Sequence, residues 1–365
     1  MSDFELEDFL ERAVAINASD IHLYVGEHPI VRRNGSIIKI DMPSLTEEDL
    51  DYVLTKILPK SIDIETVRKR CDVDFAYELK SVARFRVNIS RQLDTTAIVF
   101  RIIPYYIKTL AELNLPSAIN DFVNLNNGLV LVTGPTGAGK STTLASIINY
   151  INNHYAKHII TIEDPIEFIF TNRRSVISQR QIQVDTDSFS NGIKYALRQD
   201  PDVILIGEIR DVDTLSNAMK AAETGHLVFA TIHTNSSVHT VNRIIDMYDP
   251  VDRPFVRSQV AYLLRGTISQ KLLPLKDDSG RRPVCEILHC TTTAQDLIRK
   301  DEIESIYDLA KKGSFSDLLT LNASIFDLLQ QGLISENVAI SASNNESELR
   351  RMIRGVYHGS GVDRA

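Results

Sequence analysis

The chain has 365 residues, 43% of them hydrophobic and 24% charged, with a formal net charge of −8. That length allows two domains with cores of their own, and that charge argues against a surface given over to nucleic acid. No apolar run approaches the roughly 20 residues of a membrane span, and the opening "MSDFELEDFLER" is acidic and amphipathic, unlike a signal peptide.

The first predicted element is a helix. "FELEDFLERAVAI" puts Leu6, Phe9, Leu10, Ala13 and Val14 on one face. "IVRRNGSIIKI" reads as a hairpin in which Asn34-Gly35 supplies the positive φ angles of a two-residue turn. "RFRVNIS" and "TAIVFRII" are β-rich, so residues 1–104 make a small α+β domain. Pro104 and Pro116 bracket "YYIKTLAELNL", which makes 105–115 a linker.

From 116 to 365 the pattern changes to short apolar runs alternating with helical stretches. The runs are Leu129–Thr133, Ile159–Ile162, Val203–Ile206 and Leu227–Ile232. Each is too continuous for a half-exposed strand, which predicts a parallel sheet covered on both faces in a doubly wound α/β domain. Cys285 and Cys290 flank "EILH" beside His289, but no second ligand pair follows, so they read as small hydrophobes at a strand end. With Cys71 the cysteines number three, no even framework for a secreted fold, and a reducing cytoplasmic setting is expected. "ISASNNESELRRMIRG" reads as a turn and a terminal helix.

The stretch Gly134, Pro135, Thr136, Gly137, Ala138, Gly139, Lys140, Ser141, Thr142 matches G-x-x-x-x-G-K-[ST] between a strand and a helix. Glycines let the backbone turn its N–H groups toward phosphate oxygens, and the helix adds its positive N-terminus. Lys140 reaches the β- and γ-phosphates of ATP, and Ser141 gives its hydroxyl to Mg²⁺. Ligands of open α/β sheets sit beyond the carboxyl ends of the strands. There "HIITIEDPIE" delivers Glu163 and Asp164, "DVILIGEIRD" delivers Glu208, and "HLVFATIHTN" delivers His233.

In-line attack on the γ-phosphate needs one carboxylate to activate water and another beside the hydrated metal. Glu163 suits the base. Glu208, preceded by Gly207 rather than an aspartate, suits the metal side, largely through water. His233 suits a γ-phosphate contact, and His226 at the other end of its strand is the weaker candidate. An arginine beyond Lys140 is normally wanted for transition-state charge. Arg84, Arg86 and Arg101 in the β-rich runs of the first domain are the candidates if the two domains close over nucleotide.

Together, "GPTGAGKSTT", "TIEDPIEF", "LRQDPDVILIGEIRD" and "TGHLVFATIHTN" resemble the Walker A, Asp box, Walker B and His box of the type II/type IV secretion ATPase superfamily. "ASDIHL", "RFRVN" and "LLRGTISQKLLP" extend the resemblance over nearly the whole chain. The chain is most similar to the retraction ATPases of type IV pili. That resemblance implies a PAS-like first domain, a RecA-like P-loop core and a homohexameric ring powered by ATP and Mg²⁺. It gives Glu163 the catalytic glutamate role, Glu208 the Walker B role, Arg86 and Arg101 the approach to phosphate, and His226 and His233 the His box. It also implies work on a pilus platform protein of the inner membrane, possible pairing with a paralogous retraction or extension ATPase, and a cytoplasmic location against that membrane.

One motif departs. Where retraction ATPases carry A-I-R-N-L-I-R-E, this chain has "TAQDLIRK" and keeps only Leu297, Ile298 and Arg299. An accessory retraction motor, or the ATPase of a related secretion system, is therefore the alternative. A RecA-like nucleic-acid motor is disfavoured by the acidic charge, and a nucleotide-free scaffold by the intact lysine, serine and carboxylates.

Overall fold

A computed structural model describes residues 4–33, 35–59, 62–69, 72–80, 82–103, 105–311 and 317–355. Cys71, Pro104 and the hairpin residue Asn34 lie outside the described residues. The chain divides into two compact units, Met1–Tyr106 and Ile107–Ala365.

The first unit holds α1 (Leu6–Ala15), β1 (Asp20–Tyr24), β2 (Ile30–Arg33), β3 (Ser36–Lys39), α2 (Glu47–Ile57), α3 (Ile64–Lys69), β4 (Asp72–Leu79), β5 (Ala83–Gln92) and β6 (Thr95–Ile103). Its strands form one antiparallel sheet in the order β3-β2-β1-β6-β5-β4, a PAS-like α+β arrangement. α1 buries Leu6, Phe9, Leu10 and Ala13, the face that its spacing predicts, with Val14 packed partly against the same core. α2 is started by a capping box in which Thr46 and Asp49 bond each other's backbone amides. Alternate residues of β5, namely Ala83, Phe85, Val87 and Ile89, point into that core. The intervening residues, including Arg84 and Arg86, fall on the other face of the sheet.

The second unit continues with α4 (Asn120–Val123), β7 (Gly128–Thr133), α5 (Lys140–His154), β8 (His158–Glu163), β9 (Val176–Gln181), α6 (Phe189–Ala196), β10 (Val203–Ile206), α7 (Val212–Glu223), β11 (Leu227–Ile232), α8 (Ser237–Asp246) and α9 (Arg253–Leu263). It ends with β12 (Leu264–Pro274), β13 (Arg281–His289), α10 (Thr292–Arg299), α11 (Ser305–Lys311), β14 (Leu318–Leu319), α12 (Leu321–Gln330), α13 (Glu336–Ala342) and α14 (Glu346–Ile353). The stretch 107–115, expected as linker, counts with this unit, where Leu110 is buried among Ile119 and Phe122.

The strand order is β14-β13-β12-β7-β11-β10-β8-β9, parallel from β12 to β9 and antiparallel in β13 and β14. The four predicted strands occupy its centre. Their side chains alternate between two cores: Leu129, Leu131, Ile160, Ile162, Ile204 and Ile206 face one, and Val130, Val132, Ile159, Val203, Leu205 and Phe229 face the other. That is the RecA-like doubly wound core, enlarged by an antiparallel hairpin. At Gly266 a Cβ would meet the Phe122 ring at 2.3 Å and the Leu288 carbonyl at 2.6 Å, so only glycine lets β12 close on these neighbours.

The three last helices enclose a small core of their own with Leu273 and Val284 from the β12–β13 hairpin. Lys271 of β12 reaches the same block, donating to the Ala342 carbonyl at 2.8 Å and the Asn344 side chain at 2.8 Å. Asn344 in turn donates to the Asn235 carbonyl at 3.2 Å, beyond the end of β11.

Candidate active site

Parallel pairing sets the site. Ile162 of β8 lies beside Ile206 of β10, Ile206 beside Ala230 of β11, and Ile232 of β11 beside Thr133 of β7. Glu163, the last residue of β8, and Gly134, Glu208 and His233, which follow their strands, therefore emerge along one edge of the sheet.

At β7 the chain enters the loop through Gly134 at φ 143°, turns at Gly137 at φ 78°, and starts α5 from Gly139 at φ 87°. These are backbone angles that side-chain-bearing residues rarely hold. Lys140 is buried, and its ammonium donates to the carbonyls of Gly134 at 2.9 Å and Pro135 at 3.1 Å. Burial holds its pKa below the usual lysine value, while the charges of Glu208 and Glu167 oppose that shift. Pro135, Thr136 and Gly137 form the exposed crest, and Ser141 and Thr142 are half-buried in the first turn of α5.

Glu163 closes β8 at 8% exposure. One carboxylate oxygen accepts from the Thr161 hydroxyl at 2.7 Å and more distantly from the Gln179 amide at 3.4 Å, and the other accepts from the Glu167 N–H at 3.5 Å. Burial outweighs these bonds and raises its pKa above the ordinary glutamate value. The next β-segment brings a second acid in a different setting. Glu208 accepts from Arg210 at 2.8 Å and faces His233 at 3.1 Å. Burial pushes its pKa up, but Arg210, His233 and Lys140 together bring it below the ordinary value. A carboxyl suited to holding a proton and a carboxylate suited to staying charged thus share one edge.

Gly207 explains the missing aspartate. A Cβ there would press at 3.3 Å on the Glu163 Cα and the Ile162 carbonyl, where β10 runs against β8. The Thr231 hydroxyl donates to the Gly207 carbonyl at 2.6 Å and fixes the turn that carries Glu208.

His226 is not brought to this edge. It precedes β11, so six strand residues, about 20 Å of extended chain, separate it from His233. Its ring nitrogen bonds the Ala221 carbonyl at 3.0 Å and the Thr224 hydroxyl at 3.1 Å, closing the turn from α7 into the strand. Arg86 and Arg101 belong to the first unit, where they are direct cross-strand partners on one sheet face. Arg101 donates to Asp20 at 3.0 Å, an aspartate whose side chain is 12% exposed, and Arg86 faces Asp74 at 3.5 Å. Asp20 belongs to "ASDIHL", so that motif orients an arginine.

Sequence reading missed Arg210, Thr161 and Gln179. Thr161 was accessible to it, since residues two apart on a strand share a face. Gln179 was not, because the polar strand "VISQRQ" carries no apolar run. Cys285 and Cys290 are buried thiols pushed up to about 12 by desolvation. Among the described residues no group of three or more histidines, cysteines and carboxylates is arranged to hold a metal ion, and no helix is long and apolar enough to cross a membrane.

Comparison with known proteins bears on what this edge does. The family model for type II/IV secretion system proteins matches residues 4–339. A twitching motility protein of Neisseria gonorrhoeae is 42% identical over 87% of this chain and 85% of its own length. The type IV pilus retraction ATPase PilT of Pseudomonas aeruginosa is 38% identical over 92% of this chain and 97% of its own. Among solved structures, the pilus retraction motor PilT with bound ADP superposes with a TM-score of 0.87 at 39% identity, covering 96% of this chain and all of that one. The Legionella pneumophila ATPase DotB follows with a TM-score of 0.83 at 29% identity, covering 96% and 95%.

The raised pKa of Glu163 makes a prediction about stability. A carboxyl whose folded pKa lies above its unfolded one stabilises the fold only while protonated, and that contribution is lost as pH rises through the folded value. Glu163→Gln, neutral throughout, should therefore melt at a higher temperature than the parent at pH 7. The gain should vanish as pH falls to about 4, the ordinary carboxylate range. Equal melting temperatures at pH 7 would exclude a raised Glu163.

Proposed function

The chain belongs to the type II/IV secretion system protein family, and we propose that it is an ATP-hydrolysing motor that drives type IV pilus retraction. What carries the reading is the convergence of Lys140, Glu163, Glu208 and His233 on one sheet edge, in a chain so similar to a retraction motor that binds ADP. The loop Gly134–Thr142 holds the phosphates through its backbone amides, and Lys140 adds charge at their end. Glu163 takes the proton of the attacking water, a task that favours a carboxyl of raised pKa. His233, already against Glu208, contacts the γ-phosphate.

Ser141 and Glu208 are hard oxygen donors of the kind Mg²⁺ prefers, and they would hold it, Glu208 largely through water. The ion supplies neutralising charge to the phosphate oxygens. To Arg86 and Arg101 we assign the further positive charge of the transition state. His226 keeps a place in the His box through its turn rather than through phosphate. The working form is a homohexamer in the cytoplasm, where ATP is made available. It acts on a platform protein of the inner membrane, and a paralogous ATPase is a candidate companion.

One observation favours a second reading, an accessory retraction motor or a secretion ATPase like DotB. In α10, Ile298 is buried, Leu297 packs against the core, and Arg299 is bound by Asp296 of the same helix at 2.6 Å. Of the three residues kept from the retraction motif, only Arg299 remains at the surface. Deleting the gene distinguishes the readings. Surface pili should accumulate and twitching should stop; unchanged pili with loss of a secreted cargo would establish the secretion ATPase, and twitching that is only weakened would establish the accessory motor.

For the chemistry, Glu163→Gln should retain ATP binding while turnover falls on the order of 10²-fold or more. Near-normal hydrolysis would remove Glu163 from its role. Arg86→Ala and Arg101→Ala should each lower turnover, and normal turnover with tight nucleotide binding would free them of theirs.

A further inference from the structure

Gln270 lies within β12, two residues beyond Ile268, which pairs with Val132 of β7, and one beyond the last pair, Ser269 with Thr133. It is 2% exposed, rare for a glutamine, and both ends of its amide are used on the phosphate loop. Its nitrogen donates to the Ala138 carbonyl at 2.7 Å, and its oxygen accepts from the Thr143 hydroxyl at 2.7 Å in the first turn of α5. The main chain of the same residue meets the loop again. A Cβ on Gly134 would strike the Gln270 main-chain carbonyl at 2.4 Å, and one on Gly139 would come within 2.9 Å of the side-chain amide nitrogen of Gln270. One residue thus touches the loop at its entry, its exit and the helix it feeds.

Resting on the reading that this loop binds nucleotide, we infer that Gln270 is a positioning residue for the phosphate cradle. The cis peptide of the described chain is Asp164-Pro165, so the Ala138–Gly139 peptide is trans. In a trans peptide the carbonyl and the next N–H point in opposite directions. Gln270 holds the Ala138 carbonyl toward β12, and the Gly139 N–H is thereby aimed away from β12, on the side where a loop of this type receives phosphate oxygens. The donor is what matters. A residue of the same size without an N–H leaves the buried Ala138 carbonyl unpaired and the peptide free to rotate. The two glycines follow from the same contact, because the loop lies too close to Gln270 for any side chain.

Gln270→Glu keeps shape and the acceptor for Thr143 but sets an oxygen against the Ala138 carbonyl. Gln270→Met keeps bulk and removes both bonds. The full chain and its variants would be measured for binding of fluorescent ADP, for KM and kcat with ATP, and for melting temperature. Both variants should bind ADP about tenfold or more weaker, the scale of a buried polar group left unpaired. KM should rise correspondingly while kcat changes much less, a split that loss of general stability does not produce. Thr143→Val, which leaves the Ala138 bond in place but unanchors the amide, should weaken ADP binding by a smaller factor.

Parent-like ADP affinity in folded Gln270→Glu or Gln270→Met overturns the inference. If those two do not fold, parent-like affinity in Thr143→Val overturns it instead. A parent chain that itself fails to bind ADP, with Lys140→Ala indistinguishable from it, sinks the nucleotide reading and the inference with it. A parent that binds ADP beside variants that bind equally well sinks the inference alone.

Discussion

The parallel register of β7, β11, β10 and β8 is the constraint on which the site depends. Side chains on a strand alternate faces, so a slip of one residue in any pairing would exchange the two cores. It would put Ile160 and Ile162 where Ile159 now sits, and carry Glu163 off the edge it shares with the phosphate loop. The apolar runs that form the two cores therefore also place the polar residues that follow them. Packing and chemistry are set by one alignment.

Given that alignment, two glutamates on neighbouring strands acquire opposite characters from their surroundings. Glu163 has neutral hydrogen-bond donors and almost no solvent, whereas Glu208 has an arginine, a histidine and the loop lysine in its field. Neither character is written in the glutamate itself. Gly207 lets the two strands approach closely enough for both acids to stand side by side, and the arrangement separates the roles of proton acceptor and persistent charge.

Much of this was legible in the sequence, for a physical reason. The four central strands are buried on both faces, so they appear as unbroken apolar runs, and their observed bounds differ from the predicted ones by at most a residue. The loop glycines and the strand-end acids follow from those runs. β9 and the β12–β13 hairpin did not stand out, because their buried or half-buried polar residues are satisfied by partners far along the chain. Thr267 and Ser237 bond across thirty residues, and Gln270 reaches Ala138 and Thr143. Periodicity cannot see such partners. The same blindness hid Gln179 behind Glu163, while His226 and His233, grouped by one motif, stand at opposite ends of β11.

The bond from Lys271 to Ala342 and Asn344, and from Asn344 to Asn235, gives the terminal three-helix block two moorings. One is the strand residue next to Gln270, behind the phosphate loop; the other lies just past His233. The block encloses its own small core, so these bonds tie a separately packed unit to the sheet at two points. The last three helices are thereby coupled to the stretch of β12 that supports the phosphate loop and to the turn that follows His233.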